Sequence, residues 1–223
     1  MGVNLPTNTV FKTILFPQTV VFPDSYPNDV RFDLRRDITP SGEGVAYMTD
    51  SSGEGRNGII VVDLGTGSSW RRLSLAKSVR SEPQYLPFIW GQPFYYHPNP
   101  KGPITYLTLG ADAIAISNDG GTLYWGPIGS RYLYSAPTRL LREDPAGLSS
   151  EVLAEQAVIS HGQKGASDGM ETDSNGIVYM GNFEANAVVA FNPKNGTVQT
   201  LVRDPRINWV DTRMFCDLAL EQP

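Results

Sequence analysis

At 223 residues the chain is long enough for a single all-β domain with a sizeable core. Its net charge of −5, from 18 Lys and Arg against 23 Asp and Glu, comes without the concentrated basic face that phosphate binding requires, which argues against nucleic acid as a partner. No stretch approaches the roughly 18 apolar residues of a membrane span, and a single cysteine, Cys216, excludes an intramolecular disulfide and a thiolate zinc site.

Met1 to Thr9 is polar, contains Pro6 and lacks the basic and apolar regions of a signal peptide, so the chain as written reads as cytoplasmic. Thr9 to Phe22 reads as two extended segments, Val10 to Phe16 and Thr19 to Phe22, split by Pro17 and expected to be outer strands of an incomplete sheet. Asp24-Ser25-Tyr26-Pro27 is a turn that delivers Asn28-Asp29 to an inner strand. Strands follow around Tyr47 and over Ile59 to Asp63, and Trp70-Arg71-Arg72-Leu73 is an outer strand whose Trp packs between sheets. Arg35-Arg36 and Arg71-Arg72 read as isolated, solvated pairs beside turns. Ser78 to Pro103 is an insertion, with His97 in its Pro-rich part read as a surface-loop histidine. Leu148 to Val158 is expected to hold one short helical turn, weakly capped by Ser149-Ser150-Glu151. His161, ahead of Gln163-Lys164-Gly165, reads as a second surface-loop histidine.

One pattern recurs along this order: a small residue and an Asp open a hydrophobic stretch, and Gly-containing turns then join short strands. The first copy runs from Asn28-Asp29 through Val45-Ala46-Tyr47-Met48 to Leu64. The second runs from Ala111-Asp112 through Asp119-Gly120-Gly121 and Leu123-Tyr124-Trp125 to Ser135, and the third from Ser167-Asp168 through Asn175-Gly176 to Phe191. Asp211, in Trp209-Val210-Asp211-Thr212, is read as the start of a fourth. Short strands joined by such turns and repeated at tens of residues predict a β-propeller. About three to four blades are present, whereas a closed ring needs at least four and commonly more, so residues 1–212 read as a partial propeller domain.

The innermost strands of a propeller line its central channel, so Asp29, Asp112 and Asp168 are expected to converge there, with Asp211 as a fourth candidate. Neighbouring carboxylates repel, and such a cluster is tolerable only if solvated, partly protonated, hydrogen-bonded or bridged by a cation. For any one Asp the ordinary alternative is a turn role, accepting backbone hydrogen bonds. Tyr47, Tyr124, Tyr134 and Tyr179 are expected in the core rather than in a stacking platform. Cys216 has no base beside it and reads as an incidental thiol. The chain carries no phosphate-binding Gly-Lys-Ser/Thr loop and no His-Glu-x-x-His helix.

Phe22-Pro23-Asp24-Ser25-Tyr26-Pro27-Asn28-Asp29, Ala46-Tyr47-Met48-Thr49-Asp50-Ser51-Ser52-Gly53 and Gly67-Ser68-Ser69-Trp70-Arg71-Arg72-Leu73 together resemble the major royal jelly/yellow protein family. The likeness continues through Gly110-Ala111-Asp112 and Lys164-Gly165-Ala166-Ser167-Asp168 to Trp209-Val210-Asp211-Thr212. It implies a six-bladed propeller, an extracellular location, and a small aromatic or amine-type ligand held in the channel, with an isomerising activity on a catechol-derived substrate as an extension. It also implies that blades are missing ahead of this chain and that residues 213–223 form an atypical tail, as from a truncated or misjoined gene. An inactive fragment is a third reading, expected to self-associate through exposed blade faces.

A more distant likeness, to the regucalcin/gluconolactonase propellers, implies one divalent cation on the axis. By that likeness Asn28, Asp112 and Asp168 are the metal ligands, Asp112 standing where those proteins have Asn, and the remaining Glu would come from a blade not present. Such oxygen ligands suit calcium or magnesium, and the competing function is a metal-dependent lactonase-type hydrolase.

Overall fold

A computed structural model describes residues 1–97, 99–143 and 146–211. The chain opens with a small hairpin of β1 (Gly2–Asn4) and β2 (Thr9–Lys12). The first four-stranded antiparallel sheet follows, built from β3 (Pro27–Asp33), β4 (Val45–Asp50), β5 (Gly58–Asp63) and β6 (Ser69–Arg72) in sequence order. The insertion then makes a 3-10 turn at Lys77–Val79 and a two-stranded hairpin, β7 (Phe88–Ile89) with β8 (Gln92–Pro93). The second sheet contains β9 (Ala111–Ile116), β10 (Thr122–Pro127) and β11 (Tyr132–Pro137); helices α1 (Thr138–Arg142) and α2 (Leu148–Gln156) precede its outer strand β12 (Ile159–Gln163). The third is β13 (Met170–Thr172), β14 (Val178–Asn182), β15 (Ala187–Asn192) and β16 (Thr197–Arg203). These are three blades of an all-β propeller.

Strand periodicity builds the interfaces between them. Along β5, Ile59 and Val61 point toward the second blade and pack with Tyr47, Ile114, Leu123 and Trp125, while Ile60 and Val62 point the other way. Ala113 and Ala115 on β9 face the third blade, where Met170, Val178, Met180 and Phe191 meet them. A strand apolar on both faces belongs between two layers, and β5 is buried at every residue. The turns carry the expected chemistry. Asp173 Oδ1 accepts the amides of Asn175 and Ile177 at 2.9 Å each, and Gly176 takes a φ of +82° that a side chain would resist.

Several expectations change. Thr9 to Phe22 does not supply outer strands of a blade: only Thr9–Lys12 is a strand, paired with Gly2–Asn4, and Ile14, Phe16, Val20 and Val21 pack on the open face of the first blade. Apolar side chains needing cover, not a ladder, fix that segment. The single helical turn expected before Val158 is a nine-residue helix, and α1 precedes it. His161 lies on β12, half-buried between blades, with Nε2 2.8 Å from Ser135 Oγ, whereas His97 is in an exposed loop as expected. Trp70 does pack between blades, its Nε1 donating to Leu141 O at 2.9 Å. The residues beyond 211, including Cys216 and the expected tail, lie outside the described residues.

Arg71 and Arg72 are likewise not solvated. Arg71 is on β6 with its side chain 6% exposed, and Nη1 meets Asp50 Oδ2 at 2.8 Å, a carboxylate that is 0% exposed. The same guanidinium donates to the carbonyls of Val20 and Arg56 and lies 4.6 Å from the centre of the Phe22 ring. Asp50 in turn accepts from Ser25 Oγ at 2.6 Å and from the Tyr26 amide at 2.8 Å. This buried pair therefore ties the N-terminal segment to the first blade. Removing one partner leaves an uncompensated buried charge, so Arg71→Met is expected to cost about 3–5 kcal/mol in urea unfolding. A loss below about 1 kcal/mol would show that water already screens Asp50 as it does a surface pair.

Candidate functional site

The first strands of the three blades, β3, β9 and β13, run side by side along the axis. Asp112 is the second residue of β9 and is 3% exposed; Asp168 stands two residues before β13. Their carboxyl groups interact directly, Asp168 opposing ionisation of Asp112. Asn28 and Asp29 lie in β3 where its register with β4 shifts between Pro27 and Val30. That irregularity separates their roles. The Asn28 amide reaches Asp112 and Ser51, while Asp29 turns toward Arg31, Asp168 and Glu171. The repeat thus brings Asp29, Asp112 and Asp168 to one end of the axis, but the residue of the first blade that touches Asp112 is Asn28.

Ser51, just past β4, fixes Asp112 from the neighbouring blade. Its Oγ is 2.8 Å from both Ala111 O and Asp112 Oδ2, and Thr49 Oγ1 donates to Asp112 O at 2.7 Å. A hydroxyl has one proton. When Ser51 gives it to the Ala111 carbonyl, the bond to Asp112 needs a proton from the carboxyl group. The electrostatics agree: Asp112 is pushed up to about 8, by burial first and by the Asp168 carboxylate second, against the pull of Ser51 and Asn28. Burial also raises Asp29, which Arg31 opposes and Asp168 and Glu171 reinforce.

Arg31 crosses from the first blade to the third. Its Nη2 donates to Met170 O at 2.5 Å and lies 3.5 Å from Glu171 Oε2, and its Nη1 is 4.0 Å from Asp29 Oδ2. Aromatic rings cover the Asp168 end. Trp209 Nε1 donates to Asp168 Oδ2, the Trp209 ring stacks on Phe183 at 4.2 Å and 2°, and Phe94 from the insertion approaches at 5.2 Å. Arg131 clamps the same region, with two 2.6 Å bonds to Glu184, whose Oε1 accepts the Phe88 amide. Lys164 is enclosed beside Gly126, donates to Gly165 O at 2.9 Å, and is lowered to about 7 by burial.

Asp211 is exposed, and no strand starts there among the described residues. Its backbone closes on Gly169 so tightly that a Cβ at Gly169 would collide with the Asp211 carbonyl. Sequence reasoning missed Ser51, Arg31, Glu171 and Trp209 as members of the site. Ser51 and Trp209 both sit in the motifs that carry the family likeness, which was the available signal.

A metal would find oxygen donors of the right kind in Asn28, Asp112 and Asp168. Hard donors and two close carboxyl groups fit calcium or magnesium, although three side chains fall short of the six to eight oxygens calcium takes. No group of three or more His, Cys, Asp or Glu suited to holding a metal occurs among the described residues.

A family model described as major royal jelly protein matches residues 1–214. No curated protein matches the chain. Among solved structures, one of a nidogen/laminin complex aligns with a TM-score of 0.50 and 13% identity, covering 82% of this chain and 50% of that one. Regucalcin of Agrobacterium tumefaciens, described as a calcium-binding protein, aligns at 0.45 and 15%, covering 82% and 46%. A gluconolactonase of Xanthomonas campestris aligns at 0.44 and 14%, covering 80% and 47%. The chain therefore spans about half the length of the structures it matches.

The Asp112 shift has a definite sign in stability. Between the ordinary 3.8 and about 8 the folded protein keeps a proton that the unfolded chain has released, so stability falls as pH rises through that window. Asp112→Asn carries the neutral form at every pH. In chelator-treated buffer, urea midpoints from pH 5 to 8.5 should show a downward slope that this variant flattens. An unchanged slope would place the titrating group elsewhere.

Proposed function

The chain belongs to the major royal jelly protein family, and on that premise we propose that its axial cluster binds a small amine-type ligand. The observation that supports this reading is the interaction of the buried Asp112 with the half-buried Asp168. Among the described residues no ion pair reaches either carboxyl group, so the cluster has negative charge to offer. A ligand ammonium group placed there replaces the shared proton and relieves the repulsion. Trp209, hydrogen-bonded to Asp168, puts an aromatic ring beside the same carboxylate and suits an aromatic or cationic ligand body. Arg31, bridging to the third blade deeper along the strands, closes the floor against a second cation and favours a ligand with one positive end. An isomerising step would draw on Asp112 and Asp168 as carriers of one proton between two positions of the bound ligand. An extracellular location is part of the same proposal and rests on family membership.

The donor set supports a second reading. Asn28, Asp112 and Asp168 would hold a calcium or magnesium ion, which when bound supplies Lewis acidity toward a carbonyl such as that of a lactone. In this reading Ser51 fixes the Asp112 carboxylate and Trp209 fixes that of Asp168.

Titration calorimetry separates the two. Phenethylamine-type ligands are expected to bind, their uncharged alcohol analogues to bind far more weakly, and Asp168→Asn to reduce amine affinity on the order of 10- to 100-fold. Equal binding of amine and alcohol would rule out cation recognition. Calcium or magnesium binding that Asp168→Asn abolishes, with no response to amines, would establish the second reading instead.

A further inference from the structure

Away from the axis, the turn after β6 and the outer half of the second blade enclose a groove of about 410 Å³. One wall is aromatic. Tyr132 and Tyr134 project from the same face of β11 with ring centroids 6.2 Å apart and planes 25° from parallel, and Trp125 continues the row 6.4 Å from Tyr134. Both tyrosines are half-buried. Trp125 is fully buried and anchors the opposite side by donating from Nε1 to Ser78 O at 2.9 Å.

The remaining lining is polar and of mixed sign. Lys77 and Arg80 are exposed at the groove, and neither side chain has a hydrogen-bond or ion-pair partner among the described residues. Glu82 and Glu155 add carboxylates to the same rim. Ser78 is 6% exposed and its Oγ has no partner, a buried hydroxyl left unsatisfied where such groups are normally paired.

This lining discriminates by chemistry. A row of tyrosine rings favours a ligand with a flat C–H face. Cations and carboxylates around one groove penalise net charge of either sign, and they reward a ligand that offers donors and acceptors together. Small-ligand sites run from roughly 300 to 1,000 Å³, and this one is at the small end. We propose that the groove binds a neutral carbohydrate of one or two rings, stacked on Tyr132 and Tyr134, with its hydroxyls held by Lys77, Arg80 and Glu82 and facing Ser78. No residue of the axial cluster lines the groove, so this site stands apart from the axial reading.

Saturation-transfer NMR and calorimetry on the whole chain test it, with methyl glucoside, methyl mannoside, methyl galactoside and N-acetylglucosamine as probes and with benzoate and benzylamine as charged aromatic controls. At least one sugar is expected to bind more tightly than either control. Tyr132→Ala should weaken that sugar on the order of 10-fold, and Tyr132→Phe, which keeps the ring, should hold it within about threefold. Arg80→Ser, at an exposed position, should also weaken it several-fold. Absence of binding by all four sugars at millimolar concentration overturns the proposal, as does preference for a charged control. Undiminished binding in Tyr132→Ala that melts like the parent overturns it too. Should Tyr132→Ala fail to fold, unchanged affinity in Arg80→Ser overturns it.

Discussion

A buried carboxyl group held against a half-buried one sets the terms for the centre of this molecule. Asp112 and Asp168 come from adjacent blades and act on each other electrostatically, and Ser51 supports Asp112 from the first blade. Two negative charges in that space would push the blades apart, so a proton or another cation has to be counted among the structural parts. The support around the pair is built for this. Ser51 is placed between a carbonyl and a carboxyl oxygen, and Thr49 holds the backbone of Asp112 itself. Interblade packing and axial electrostatics thus converge on one contact.

The axial cluster is polar because strand beginnings gather there, while the space between blades is apolar because strand middles do. Ile59, Val61, Ile114 and Trp125 meet between the first two blades, and Tyr124, Met170, Met180 and Phe191 between the second and third. The insertion connects these regimes. Its 3-10 turn accepts the Trp125 indole, and Phe94 reaches the ring of Trp209 above Asp168. A segment that reads in sequence as a loop excursion therefore helps shape both the outer groove and the axial end.

The blades were legible in the sequence because short apolar strands recur and the turns between them announce themselves with Asp, Asn and Gly. Asp119-Gly120 and Asn175-Gly176 join neighbouring strands as expected, with both glycines at positive φ. Convergence of Asp29, Asp112 and Asp168 was legible for the same reason. The division of labour between Asn28 and Asp29 was not, because a shift of register inside β3 leaves no mark in residue type. Arg71 was misread because its partner, Asp50, lies two strands away and the pair becomes visible only once β4, β5 and β6 align. Helix α2 was underestimated since no single apolar face advertises it: Leu148, Val152 and Leu153 remain exposed while Ala154 is buried.

In each four-stranded sheet the strand order is the sequence order, with no strand borrowed from another blade. Most ladders can therefore close through short local connections, at small loop-closure cost, before any distant partner arrives; the β11–β12 pair, with α1 and α2 between its strands, is the longest to close. The faces between blades are then nearest-neighbour contacts in a row, as in other repeat architectures. Folding in such a molecule can spread from blade to blade like a zipper, and damage confined to one interface splits the row at that point rather than unravelling the blades themselves.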